Sequence, residues 1–152
     1  MGEPCEVWFY HLERTALDQA LPDLLQKTLA RGWRALVRSP DERRIEHLDG
    51  WLWSFREDSF LPHGLAEEPQ ARQQPVLLST AAENVNEAKA LFLLDDAEPG
   101  PLDGYERCLI LFDGRDEETV TAARRRWSAL KSDGHPLSYW RQSPEGKWEK
   151  QA

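Results

Sequence analysis

Three aspartates follow apolar segments of strand length in this 152-residue sequence. Asp95 and Asp96 come after ALFLL (90–94), and Asp113 follows ERCLILF (106–112). Parallel α/β enzymes often hold a magnesium ion between carboxylates at the ends of neighbouring strands. The placement is consistent with a magnesium-dependent phosphotransferase or hydrolase. Aspartates also favour turns because they bond to their own backbone, so the alternative is that these residues only shape two loops.

Other motifs that carry chemistry are missing from the sequence. The first expected strand-to-helix turn, HLERTALD, has no glycine, and no GxxxxGK[S/T] segment is present for a nucleotide. The four histidines are scattered, and no ligand spacing joins them to the two cysteines. Cys5 and Cys108 fall in apolar segments, where a free thiol behaves as a small buried hydrophobe. The leading expectation is therefore a protein with no cofactor, no metal centre and no catalytic residue.

A cluster of arginines surrounds a tryptophan in DEETVTAARRRWSALK (116–131). Acids at the start and bases at the end match the dipole of a helix, and the apolar spacing predicts one buried face. The border of that face is expected to carry Arg124, Trp127, Ser128 and Lys131. This patch suits an acidic peptide, because arginine holds carboxylates bidentately and an indole supports an apolar side chain. The alternative is a core tryptophan in a helix whose bases complement its own dipole.

Aromatic residues are also concentrated in WLWSFREDSFLPHG (51–64). Helical spacing places part of this segment against the core, which leaves Trp53 near a helix end and Phe60 in the loop beyond it. Two large aromatics beside charged residues have the composition of a protein-interaction hot spot. The alternative is that Phe60 packs back into the core and anchors the loop. Pro62 and His63 are expected to shape this loop.

The elements that must position these residues alternate along the chain. The predicted strands are 6–12, 33–39, 74–80, 90–94 and 106–112, with a final strand and a hairpin or tail over 137–149. The predicted helices run from Thr15 to Gly32, from Pro40 to about Trp53, and over 116–131.

Capping signals refine the first two helices. Thr15 with Asp18 approximates a capping box, and Pro22 predicts either a kink or a helix that begins properly only near Leu21. Gly32 is the expected C′ residue of that helix. Ser39 is the expected N-cap of the second helix, with Pro40 at its first position.

The order of elements predicts an α/β fold with a largely parallel sheet in one domain that spans 1–152. Uninterrupted apolar runs favour strands that are covered on both faces. The polar stretches 64–75 and 95–104 are expected to be surface loops, and 143–152 is a candidate flexible tail.

Composition limits the classes of partner. Nineteen Lys and Arg against 27 Asp and Glu give a net charge of −8, which repels phosphate backbones, so no direct contact with nucleic acid is expected. No run of 18 apolar residues and no signal-like N-terminus is present, so neither a membrane span nor secretion is expected. A cytoplasmic location follows as the expectation.

Several segments together resemble the chi subunit of bacterial DNA polymerase III. The most specific is DSFLPHGLAEE (58–68), with Trp53 seven residues before Phe60. The start, VWFYHL (7–12), and the segment ARRRWSALKSDGHPL (123–137) are similar as well, so the resemblance covers essentially the whole chain.

The resemblance implies a Rossmann-like fold that binds no nucleotide, and a non-enzymatic accessory subunit of the clamp-loader assembly. Chi subunits bind the acidic C-terminal tail of single-stranded DNA-binding protein. The positions of Arg124 and Trp127 belong to that tail site in the family. The positions of Trp53 and Phe60 belong to the surface for the psi subunit or for a helicase.

The chain departs from the family pattern at one basic position. Family members often carry a second base directly after the aromatic residue, where this chain has Ser128. Arg125 or Lys131 would then have to supply the charge. The resemblance therefore implies a tail site with reduced affinity.

Overall fold

The computed structural model describes residues 4–13, 16–54, 61–145 and 147–152. This part of the chain forms three α-helices, eight strands and a short 3₁₀ helix at Ala71–Gln73. The helices are α1 (Leu17–Ala30), α2 (Glu42–Ser54) and α3 (Glu117–Ser132). The strands are β1 (Glu6–Leu12), β2 (Ala35–Arg38), β3 (His63–Leu65), β4 (Val76–Ser79), β5 (Ala90–Leu93), β6 (Arg107–Asp113), β7 (Leu137–Gln142) and β8 (Trp148–Lys150).

All eight strands belong to one sheet, in the order β3-β4-β2-β5-β6-β1-β7-β8. Every neighbouring pair is parallel except β7 and β8, which run antiparallel as a hairpin. Strand β1 lies between β6 and β7, with Phe9 opposite Ile110 on one side and Tyr139 on the other. The predicted single-domain, Rossmann-like α/β fold is confirmed.

The helices cover both faces of the sheet. Side chains alternate along a strand, so Tyr10 and Leu12 of β1 enter the core that α1 and α2 cover, while Val7 and Phe9 enter the core that α3 covers. The central strands β2, β4 and β5 are buried at every position. The uninterrupted apolar runs predicted for β4 and β5 therefore have the expected cause, namely burial on both faces.

Helix α1 accommodates a proline through a contact with α2. The helix begins at Leu17, so a start only near Leu21 is not found, and Thr15 of the expected capping box lies outside the described residues. Pro22 has no N–H to donate to the Asp18 carbonyl one turn earlier. The Trp51 indole N–H donates to that carbonyl instead, at 2.6 Å. Gly32 follows the helix with a φ of +84°, as expected of a C′ glycine.

Helix α2 begins two residues later than expected. The Asp41 carboxylate accepts from the Arg43 backbone N–H at 3.0 Å, which is the contact of an N-cap side chain. The Ser39 hydroxyl accepts from the Asp41 N–H at 3.1 Å, so it supports the residue that caps. The prediction of Ser39 as the N-cap is therefore wrong, because a second capping residue lies closer to the helix.

The sheet gains an edge strand where a loop was expected. The stretch 64–75 was predicted to be a surface loop, but His63–Leu65 pairs in parallel with β4. A Cβ atom on Gly64 would lie 2.7 Å from the Gln74 Cγ atom, so glycine allows the close approach of the two segments. At the other edge, the expected C-terminal hairpin is present as β7 and β8.

Among the described residues, the helices are all too short or too polar to cross a membrane.

Candidate functional site

Helix α3 has the ends that its sequence predicts. Its N-cap Asp116 accepts from the Glu118 backbone N–H at 3.1 Å, and acids fill its first turn. Its C-terminus closes on Gly134 with a φ of +89°. Ala123 and Leu130 are buried against the sheet, so the face predicted to be apolar is the packed one.

Trp127 lies at the border between the core and the surface. Its ring packs edge-on against Phe9 of β1, with centroids 5.3 Å apart, and against Tyr139 of β7 at 5.9 Å. The residue remains partly accessible to solvent. Trp127 therefore packs against the core and also contributes to the surface.

Two exposed cations flank Trp127 on the same side of α3. Arg124 and Lys131 lie three residues before and four residues after it, so the three side chains form a row. Within the described ranges, neither cation forms an ion pair. Ser128 is exposed beside the row and adds a hydroxyl but no charge. We call Arg124, Trp127 and Lys131 the α3 row.

Arg125 does not belong to this row. It lines a groove of about 470 Å³ on the other flank of the helix, between α3 and the loop that contains Asp96. Arg126 closes that groove and donates to the Asp96 carboxylate at 2.7 Å. The structure therefore brings Arg124, Trp127 and Lys131 together but separates Arg125 from them.

A polar network that the sequence did not reveal adjoins the α3 row. The Tyr139 hydroxyl lies 2.5 Å from His11 Nδ1, and the other ring nitrogen of His11 lies 2.8 Å from the Glu13 carboxylate. The Arg141 guanidinium lies 2.5 Å from the same carboxylate oxygen. In the register of β1 against β7, His11 lies opposite Arg141, which places the four side chains at one end of two neighbouring strands. We call His11, Glu13, Tyr139 and Arg141 the β1–β7 network.

Burial and charge shift the pKa values of this network in different directions. Burial lowers the pKa of His11, and the nearby Glu13 carboxylate opposes part of that shift. The hydrogen bond from Arg141 lowers the pKa of Glu13. Burial raises the pKa of Tyr139, and the positive charges of Arg141 and Arg124 oppose part of the rise. The Tyr139 hydroxyl therefore favours its protonated form, and the His11 ring favours its neutral form.

A second surface lies where α2 ends, around Trp53, Pro62 and His63, and we call it the Trp53 surface. The Trp53 residue is 51% exposed. Among the described residues, it is the one large hydrophobic residue that is exposed to solvent. Its ring lies on the buried His63 ring, with centroids 4.2 Å apart. Pro62 is half-buried beside it, and Phe60 lies outside the described residues.

His63 is held from two sides. Its Nδ1 atom lies 2.8 Å from the Leu61 carbonyl, and its Nε2 atom lies 3.0 Å from the Asp49 carbonyl and 3.1 Å from the Asp49 carboxylate. Both ring nitrogens therefore face oxygen acceptors of neighbouring elements. The ring forms a fixed base for Trp53.

The three aspartates at the strand ends are each engaged by an arginine. Asp95 accepts two hydrogen bonds from Arg44, at 3.0 and 3.1 Å, and one from the Ser39 hydroxyl. Asp96 accepts from Arg126 at 2.7 Å.

Asp113 completes this set. It accepts from the backbone and side chain of Arg115, and these bonds lower its pKa. Among the described residues, no three His, Cys, Asp or Glu side chains are grouped to hold a metal ion. The carboxylates are already paired with cations, so the geometry does not favour the magnesium-dependent phosphotransferase or hydrolase.

The two cysteines have the environment that the sequence predicts. Cys5 and Cys108 are both free and buried. Burial raises the pKa of Cys5 to about 12 and raises that of Cys108 well above its ordinary value. Their thiols therefore stay protonated and are poor nucleophiles.

Comparison with known sequences identifies the family. Residues 5–138 match the family described as DNA polymerase III chi subunit, HolC. The chain belongs to the chi subunit family. The DNA polymerase III subunit chi of Pseudomonas aeruginosa is 32% identical over 115 residues, which are 75% of this chain and 78% of that protein. The probable DNA polymerase III subunit chi of Rickettsia prowazekii is 25% identical over 89 residues, 59% of this chain and 54% of that protein.

The family confirms the resemblance and gives the protein a role in DNA replication. Chi is an accessory subunit of the DNA polymerase III holoenzyme and not its catalytic subunit. The prediction of a non-enzymatic subunit agrees with this family.

Proposed function

We propose that this chi subunit binds the acidic C-terminal tail of single-stranded DNA-binding protein on the α3 row. In this way it links the clamp loader of the polymerase holoenzyme to the protein that coats single-stranded DNA. The subunit acts in the cytoplasm, without direct contact with nucleic acid and without catalysis of its own.

The observation that carries this proposal is the arrangement of Arg124, Trp127 and Lys131. Two exposed cations without ion-pair partners among the described residues border a partly exposed indole. Carboxylates of an acidic tail can be held by the cations, and an apolar side chain of the tail can pack on the indole. The indole is fixed by Phe9 and Tyr139, so little side-chain freedom is lost when the tail binds.

The charge of the whole protein favours a short ligand over a long one. The net charge of −8 repels an extended polyanion, while the local positive charge of the α3 row attracts a short acidic segment. The binding of the tail should weaken as salt is added, because charge pairing contributes part of the free energy of binding.

Isothermal titration calorimetry with a peptide that copies the acidic tail tests the proposal. Arg124→Ala and Trp127→Ala should each weaken binding by about 1–2 kcal/mol or more, as hot-spot truncations do. Arg125→Ala is the matched control, since it removes the same charge from the same helix on the opposite flank. Equal affinities for all three variants would refute the assignment of the tail to the α3 row.

We further propose that Trp53, with Phe60, Pro62 and His63, receives a second protein. The candidates are a psi-like clamp-loader subunit and a helicase. An exposed indole on a fixed, buried ring is the type of anchor that dominates protein interfaces. The Trp53 surface and the α3 row are carried by helices on opposite faces of the sheet, so the two partners can bind at the same time.

Affinity capture from the host with wild type, Trp53→Ala and Arg124→Ala tests this second surface. Trp53→Ala should lose the second partner and keep single-stranded DNA-binding protein, and Arg124→Ala should do the reverse. If Trp53→Ala recovers both partners at wild-type levels, the second surface is wrongly assigned.

A further inference from the structure

The β1–β7 network contains a carboxylate that occupies a site for an anion. One oxygen of Glu13 lies 2.5 Å from the Arg141 guanidinium and 2.8 Å from His11 Nε2. The Glu13 contact with His11 lacks the alignment of a hydrogen bond, since Nε2 remains without a hydrogen-bond partner among the described residues. The Arg141 side chain is 51% exposed and the Glu13 side chain 25% exposed, so solvent reaches this pair. A carboxylate from another molecule can therefore compete for the same cation.

This anion site is continuous with the α3 row. Tyr139 contacts Trp127 through its ring and His11 through its hydroxyl. Arg141 lies two residues after Tyr139 on β7, so both side chains point to the same face of the sheet. The charges of Arg141 and Arg124 both lower the pKa of Tyr139, so both guanidinium groups lie near enough to act on its hydroxyl.

The α3 row alone offers few cations to an acidic peptide. Ser128 is neutral, and Arg125 lies on the opposite flank of the helix. Arg141 on β7 adds a cation near Tyr139, which contacts Trp127 of the α3 row. Its present partner, Glu13, has the same carboxylate group as the side chains of an acidic peptide.

We propose that Arg141 is a second peptide-binding arginine of this protein and that Glu13 is an internal competitor, which an acidic peptide displaces from Arg141 when it binds. The proposal rests on the proposed function, since it assigns another residue to the same tail-binding site. Glu13 therefore lowers the affinity for acidic peptides, so that only a peptide with enough acidic residues displaces it from Arg141.

Calorimetric titration of the acidic tail peptide into wild type and four variants tests this exchange. Glu13→Gln frees Arg141 and should tighten binding by about two- to fivefold, the range expected from one exposed ion pair. Arg141→Gln should weaken binding by a similar factor, and Arg141→Lys should keep part of the affinity. In Arg141→Gln, the further change Glu13→Gln should have no effect, because no cation is left to release.

Glu46→Gln is the matched control, because it removes one exposed acid from α2, which covers the opposite face of the sheet from α3. If Glu13→Gln and Glu46→Gln give the same affinity, or if Glu13→Gln still tightens binding in the absence of Arg141, the exchange is refuted. If Arg124→Ala abolishes binding while the Glu13 and Arg141 variants equal wild type, this inference fails and the proposed function stands. If neither wild type nor Glu13→Gln binds the peptide, both fail.

Discussion

Replacement of Gly114 by alanine should destabilise the protein through His11. An added Cβ atom would lie 1.9 Å from His11 Cδ2 and 2.0 Å from Nε2, whereas ordinary contacts begin at 3.4 Å. The ring would have to move by about 1.5 Å, since the Gly114 N–H is itself held by the Leu12 carbonyl at 2.7 Å. His11 is buried, so no open space is available for that movement.

The cost follows from these contacts. Overpacking of a buried site costs about 1–3 kcal/mol. Movement of the ring also breaks the hydrogen bond with Tyr139, which contributes about 0.5–1.5 kcal/mol. The free energy of unfolding should therefore fall by roughly 2–4 kcal/mol, which corresponds to a decrease in Tm of roughly 4–15 °C for a protein of this size.

Urea denaturation of Gly114→Ala and Gly50→Ala measures the effect with its control. Gly50 lies within α2, and an added Cβ atom meets nothing within 4 Å, so alanine there should stabilise the protein by about 0.5–1 kcal/mol. The two changes should thus have opposite signs. A decrease of less than about 0.5 kcal/mol in the free energy of unfolding of Gly114→Ala would show that the His11 ring is not confined against Gly114.

Trp51, His11 and Trp53 each allow one further test. Trp51→Phe should cost about 1–3 kcal/mol in the free energy of unfolding, because the Asp18 carbonyl that Pro22 leaves free loses its donor; an unchanged urea midpoint would contradict this. Because the pKa of His11 is lowered in the folded protein, the unfolded chain binds a proton more readily, and the free energy of unfolding should fall as pH decreases below about 6.5. His11→Gln should reduce this dependence of stability on pH. Equal pH dependence in wild type and His11→Gln would contradict the prediction. Iodide should quench the fluorescence of wild type more than that of Trp53→Phe, since Trp53 is exposed; equal quenching would place Trp53 in the interior.

Much of the fold was predictable because its elements are locally encoded. The strands β4, β5 and β6 are uninterrupted apolar runs, and α3 carries its own capping residue and matching charges at both ends. These signals lie within a few residues of each other and do not depend on the rest of the chain.

The deviations arise where a distant segment decides the outcome. β3 has three residues, one of them glycine, and exists only because β4 offers an edge to pair with. The start of α1 before Pro22 depends on Trp51, which lies 33 residues away from the Asp18 carbonyl. Neither contact has a local signature.

The residues of the candidate site also differ in how far the sequence alone could place them together. Arg124 and Trp127 were predictable because residues three apart on one helix are neighbours. Arg141 and Glu13 were not predictable as neighbours, because only the pairing of β1 with β7 brings them together. In the same network, His11 and Tyr139 lie 128 positions apart in the sequence. Arg44 and Arg126, which pair with Asp95 and Asp96, are also distant in the sequence. The sequence alone therefore leaves a magnesium site possible for carboxylates that the structure shows to be paired.

The α3 row is proposed to bind the acidic tail of single-stranded DNA-binding protein. Calorimetric titration of the tail peptide into wild type, Arg124→Ala and Arg125→Ala, at low and at moderate salt, tests it most directly. We expect salt-sensitive binding that Arg124→Ala loses and Arg125→Ala keeps. No heat of binding to wild type at either salt concentration, or equal loss in both variants, would contradict it.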